Sequence, residues 1–102
     1  MKKENSYQPT VIQKLELMFP GCIIQKEDPE YIQGIPDLLI LYNDKWATLE
    51  CKKSKDEPHQ PNQDYYVDVM NEMSFSRFIF PENEEDVLKD LSLFFNGGNH
   101  EV

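Results

Sequence analysis

The chain has 102 residues, 39% of them hydrophobic, enough for one domain around a single core and without the bias of a disordered or fibrous protein. A net charge of −9 argues against a protein that coats nucleic acid by charge alone. No apolar run approaches the roughly 20 residues needed to span a bilayer, the opening residues lack a signal-peptide apolar block, and Cys22 and Cys51 make no disulfide framework, so a reducing, cytoplasmic setting with two small buried thiols is expected.

The elements can be read in chain order. Residues 7–19 place Val11, Ile12, Leu15, Met18 and Phe19 at helical spacing, with Pro9 tolerable only in the first turn, and Pro20-Gly21 ends that helix. A short β-rich stretch covers 22–26, and 27–34 reads as a loop punctuated by Pro29 and Gly34. The nearly continuous apolar run 37–42 suits a strand covered on both faces. A turn at Asn43-Asp44-Lys45 leads into a returning strand at 46–53.

Residues 54–63 are polar. A second helix begins near Pro61, with Tyr65, Tyr66, Val69, Met70 and Met73 as its apolar stripe. Residues 76–80 form a short strand. Asn83 is positioned to cap a final helix with an acidic first turn, whose Val87, Leu88, Leu91, Phe94 and Phe95 face the core before Gly97-Gly98 ends it. The order α-β-β-β-α-β-α defines an α/β layer protein with one domain over 1–96 and a short tail at 97–102.

Acidity is uneven. Glu82, Glu84, Glu85, Asp86, Asp90 and Glu101 stand against Lys89 alone in 82–102, and the rest of the chain carries a net of −4. A local basic patch, Lys52, Lys53 and Lys55 followed by His59, therefore remains compatible with a DNA-directed enzyme.

The chemistry concentrates on the hairpin. Strand side chains alternate faces, so Glu50 and Lys52 share one side and Cys51 points to the other. A turn centred on Asn43-Asp44 makes cross-strand partners sum to about 87, which sets Asp37 opposite Glu50. Two opposed carboxylates repel each other, and a hard divalent cation, which prefers carboxylate and carbonyl oxygens, relieves this better than a lysine alone. Asp37, Glu50 and the main-chain carbonyl of Cys51 are the candidate ligands for Mg²⁺ or Mn²⁺. Lys52 beside them can orient or deprotonate an attacking water and offset charge in a phosphoryl transition state.

Ile35-Pro36-Asp37, followed after a hairpin by Glu50-Cys51-Lys52, resembles the PD-(D/E)XK nuclease signature, and the stretch Gly34-Ile35-Pro36-Asp37-Leu38-Leu39 resembles its VRR-NUC branch of small phage nucleases related to Holliday-junction resolvases. The likeness covers roughly residues 4–92. It implies a restriction-endonuclease-like α-β-β-β-α-β core with an added C-terminal helix, metal-dependent cleavage, and a branched or nicked DNA substrate. It further implies an acid from the first helix, matched by Glu4 with Glu16 as the alternative, and a glutamine after the ExK strand, matched by Gln63 better than by Gln60.

Several residues have plainer readings. Exposed ion pairs on an ordinary hairpin are common and contribute little, and Glu27 and Asp28 read as solvated loop acids. Lys53, Lys55, His59 and Gln60 are candidate DNA-backbone contacts. Arg77, the one arginine, is too little for base-edge readout. Tyr65, Tyr66, Phe78, Phe80, Phe94 and Phe95 read as core, Tyr31 as the least buried aromatic, and His100 as inert. The expected function is an endonuclease acting on structured DNA in phage or bacterial replication, recombination or repair. Paired cuts would require a homodimer, and a helicase or other replication protein is a possible partner. The competing readings are an idle nuclease fold that binds a replication or defence protein, favoured by the acidic surface, and a restriction-type enzyme, for which so short a chain lacks a sequence-reading extension.

Overall fold

The computed structural model describes residues 6–97, and Glu4, His100 and the rest of the terminal segments lie outside them. The elements run α1 (Tyr7–Met18), β1 (Ile23–Lys26), β2 (Leu38–Tyr42), β3 (Lys45–Cys51), α2 (Gln63–Met73), β4 (Ser76–Ile79) and α3 (Glu84–Asn96), the order read from the sequence. They form an α/β domain with a mixed sheet in the order β1-β2-β3-β4. The first three strands are antiparallel neighbours, and β4 joins β3 in parallel after the α2 crossover. No described helix is long and apolar enough to cross a membrane.

Alternation along β3 divides the molecule. Ala47, Leu49 and Cys51 face a core shared with Leu38 and Ile40 of β2, Val11 and Leu15 of α1, and Val87, Leu88, Leu91 and Phe95 of α3. Phe19, Tyr42 and Phe95 meet at one end of this core with ring centroids 5.1–5.3 Å apart. Thr48, Glu50 and Lys52 point to the other face, where α2 packs over β3 and β4. There the Thr48 hydroxyl donates to the Ser76 Oγ across 2.7 Å, both residues being buried. Removing either hydroxyl strands its partner, so Thr48→Val or Ser76→Ala is expected to cost about 1–2 kcal/mol and the double change less than their sum. Denaturant titration of the four proteins checks this.

The structure corrects several expectations. On α1, Met18 is exposed, because the buried stripe runs through Val11, Leu15 and Phe19. On α2, Val67 is the buried residue, and Tyr65 and Met73 are 60% and 68% exposed, because the helix leans on the sheet by the opposite edge of its apolar stripe. Leu41 is also exposed and Leu39, on the same face, is half-buried, so the second face of β2 is only partly covered. Asn83 makes no side-chain cap. Its amide instead ties β4 to the start of α3, Oδ1 accepting from the Phe80 N–H at 2.9 Å and Nδ2 donating to the Phe78 carbonyl at 3.0 Å.

Candidate active site

The β2–β3 turn sets the pair Leu38↔Leu49, so the register sum is 87 and Asp37 stands opposite Glu50 one step beyond the ladder. At that step side chains replace the missing main-chain bonds. The Asp37 N–H donates to Glu50 Oε1 at 3.2 Å, and the Cys51 N–H donates to Asp37 Oδ2 at 3.0 Å. Each carboxylate thus accepts from the opposing strand, which fixes both rotamers at the mouth of the hairpin.

Lys52 and Gln63 complete the cluster. Gln63 Nε2 donates to Glu50 Oε2 at 2.9 Å, and Gln63 Oε1 accepts from Lys52 Nζ at 2.7 Å and from the Gln60 N–H at 2.8 Å. Lys52 Nζ also donates to the Pro58 carbonyl at 3.1 Å and lies 3.9 Å from Glu50 Oε2. Glu50 and Lys52 are 3% and 2% exposed. Burial of an ion pair at this depth contributes little to stability unless every polar atom is satisfied. Here the glutamine and two main-chain groups supply the satisfaction.

The electrostatics record a shortage of positive charge. Burial, and then the Asp37 carboxylate, push the Glu50 carboxyl up to about 8, with Lys52 offsetting only part of the effect. Burial also raises Asp37, against the Cys51 N–H, Lys52 and a side-chain hydrogen bond from Gln8. Glu57 raises both from its loop. The Cys51 thiol is pushed well up by burial and by the two acids, so it stays protonated on the core side.

Among the described residues no group of three or more His, Cys, Asp or Glu side chains is arranged to hold a metal. The oxygens that a cation would meet here are two carboxylates and the Cys51 main-chain carbonyl, which in a strand lies on the same side as the N–H that Asp37 accepts. Hard oxygen donors in this small number suit Mg²⁺, which keeps several waters. The residues fit the ion.

The remaining expected site residues divide. Gln63 joins the cluster through its side chain, whereas Gln60 does so through its main-chain N–H. Glu16 does not reach it: it lies two turns beyond Gln8, exposed and close to Cys22. Gln8 reaches Asp37 from α1. Its signal was present, since Gln8 leads the stripe Val11, Leu15, Phe19 at helical spacing and is a polar residue on a core-facing edge. The neighbouring Tyr7 anchors this first turn by donating to Glu84 Oε1 at 2.5 Å. Asp28 is occupied locally, accepting the Glu30 N–H at 2.9 Å, and Glu27 meets Asp37 only through its main-chain N–H at 2.8 Å. Lys53 and Lys55 are exposed beside the site. Arg77 is engaged elsewhere, its guanidinium 4.3 Å from the centroid of the Phe75 ring.

The loop before β2 braces the glutamine. Gly34 has φ +92°, and a Cβ there would fall 2.6 Å from Asn62 Cβ and 2.8 Å from the Pro61 carbonyl. That approach seats Asn62, itself left-handed at φ 73°, immediately before Gln63. No protein-family model, curated protein or solved structure matches this chain.

Proposed function

We propose that this chain is a Mg²⁺- or Mn²⁺-dependent nuclease that hydrolyses phosphodiester bonds of structured or branched DNA, on a core of the PD-(D/E)XK type. The proposal rests on one observation: Asp37, Glu50, Lys52 and Gln63, from the ends of two strands and the start of a helix, meet in a single hydrogen-bonded cluster at the mouth of the hairpin. The element order α-β-β-β-α-β agrees with the resemblance of the motif.

Asp37, Glu50 and the Cys51 carbonyl would hold the cation, which when bound polarises the scissile phosphoryl group and acidifies a water. Lys52 is surrounded by acceptors, which sets it to donate: toward an attacking water, or toward a phosphoryl oxygen as negative charge develops. Gln63 holds that ammonium in place and keeps Glu50 oriented.

The test is cleavage of supercoiled plasmid and of a synthetic four-way junction with Mg²⁺, with Mn²⁺ and with EDTA. Cleavage is expected with either metal and not in EDTA, and Lys52→Ala should slow it by about 10²–10³-fold. Cleavage left intact by Lys52→Ala would remove the assignment. Metal binding without cleavage by the wild-type chain would favour the idle, partner-binding fold.

A further inference from the structure

Beside the cluster lies a second pair of titratable side chains. His59 Nδ1 is 2.7 Å from Asp64 Oδ1, and the imidazole stacks on Phe78 at a centroid distance of 4.0 Å and an interplanar angle of 15°. The ring is thus held on one face by an aromatic and at one nitrogen by a carboxylate, while its side chain stays 38% exposed. A surface histidine with no task beyond solvation does not need both restraints. A carboxylate on Nδ1 fixes the ring orientation and leaves Nε2 as the outward-facing nitrogen.

Its position relates it to the chemistry. His59 sits between Pro58, whose carbonyl accepts from Lys52, and Gln60, whose N–H donates to Gln63. Its stacking partner Phe78 is the register partner of Glu50, on the same face of the sheet. One strand spacing and the 4.0 Å stacking distance together put the imidazole roughly 10 Å from Glu50. At about 3.4 Å of rise per nucleotide, that span takes in the next one to three phosphates of a strand cleaved at the cluster.

We infer that His59, oriented by Asp64, is a proton-gated phosphate contact that holds the substrate strand beside the scissile bond, so that substrate affinity falls as the imidazole loses its proton. This rests on the nuclease reading for its substrate. Protonated, Nε2–H donates to a phosphate oxygen while Nδ1–H stays on Asp64, and the charge-assisted bond is the stronger kind. Neutral, with its proton on Nδ1, the ring turns a lone pair toward the phosphate and repels it. Among the charges around it, Asp64 on α2 is bonded to Nδ1. Glu50 on β3 pairs with Phe78, Lys52 just past the strand donates to the Pro58 carbonyl, Glu57 and Lys55 lie in the histidine's own segment, and Glu82 accepts from the Lys55 N–H. Lys53 and Lys55, both exposed, contribute diffuse attraction to the same strand.

The experiment measures binding apart from cleavage. Fluorescence anisotropy of a labelled four-way junction is recorded in EDTA from about pH 5.5 to 8.5, across the histidine range, with the Glu50→Gln chain so that Glu50 does not titrate. Affinity should fall about tenfold across the range. Adding His59→Gln should flatten the profile at its weak end and lower the salt slope at low pH by about one. Asp64→Asn should weaken binding at the low-pH end, because the ring loses the partner that orients it. A profile that keeps its slope in the His59→Gln chain overturns the inference while leaving the nuclease reading intact. His59-dependent binding by a wild-type chain that fails to cleave would sustain the inference and remove that reading. If neither chain binds the junction, the inference fails.

Discussion

Glu50→Gln is expected to be more stable than the wild type in EDTA at neutral pH, while its cleavage in Mg²⁺ falls by on the order of 10³-fold. Both effects have one origin. The Glu50 carboxyl is buried against Asp37, and its folded-state value of about 8 lies far above the ordinary 4.5. A raised folded value means that the folded chain holds the proton where the unfolded chain has released it. Stability from this group is therefore complete below about pH 4.5, declines as the pH rises, and is fully lost near 8. Asp37 shifts in the same direction and adds to the slope.

Between pH 5 and 8 the wild-type chain in EDTA should lose on the order of 10 °C in thermal midpoint. Glutamine mimics the protonated acid and should remove most of that decline. Mg²⁺ should restore the midpoint of the wild type at pH 8 and do little for Glu50→Gln. A scanning-calorimetry series over pH, with and without metal, reads all of these. A wild-type midpoint that rises between pH 5 and 8 in EDTA would contradict the buried-pair electrostatics.

Gly34→Ala should be the second large effect, and Gly21→Ala is its built-in control. Both glycines have φ near +90°, where a Cβ costs about 1–2 kcal/mol in backbone strain. At Gly21 nothing lies within 4 Å of the added carbon, so strain is the whole effect. At Gly34 the carbon would enter the backbone of Pro61 and Asn62, with Asn62 C at 2.7 Å. Main chain cannot turn aside as a flexible side chain can, so residues 61–62 must move, and Gln63 moves with them. Gly21→Ala should keep its activity and fold with a modest loss. Gly34→Ala should lose about 3 kcal/mol or more and at least about tenfold in cleavage, because Lys52 and Glu50 lose their shared partner. Equal losses in the two variants would mean that the loop brace has no bearing on Gln63.

What could be read from the sequence follows physical range. The hairpin is local: turn position and period-two alternation together put Asp37 opposite Glu50 and aligned Lys52 with Glu50, and both needed only residues 37–52. Gln63 was reachable through the motif because the intervening segment is short. Glu57 was not, since its influence on the two acids passes through space from an irregular loop. Gln8 is visible as a polar residue on the core-facing edge of α1, but its meeting with Asp37 depends on how that helix docks, which a single helix does not encode. The misjudged Tyr65 and Met73 fail for a related reason: an apolar stripe says that a helix has a buried side, but the tilt against the sheet decides which edge of the stripe stays wet. The α-β-β-β-α-β-α order came through intact because its turns are marked by Pro, Gly and Asn.

The strict alternation along β3 has a consequence for how the gene can vary. Deleting or inserting a single codon between Lys45 and Glu50 would turn Glu50 and Lys52 toward the aliphatic interior and bring Leu49 and Cys51 to the face that holds the polar cluster. Frame-preserving indels should therefore be absent from this strand yet acceptable at the Asn43-Asp44 hairpin tip when they come in pairs. In a deep mutational library, loss of activity and loss of abundance should coincide for length changes here, whereas point changes at Lys52 should separate the two.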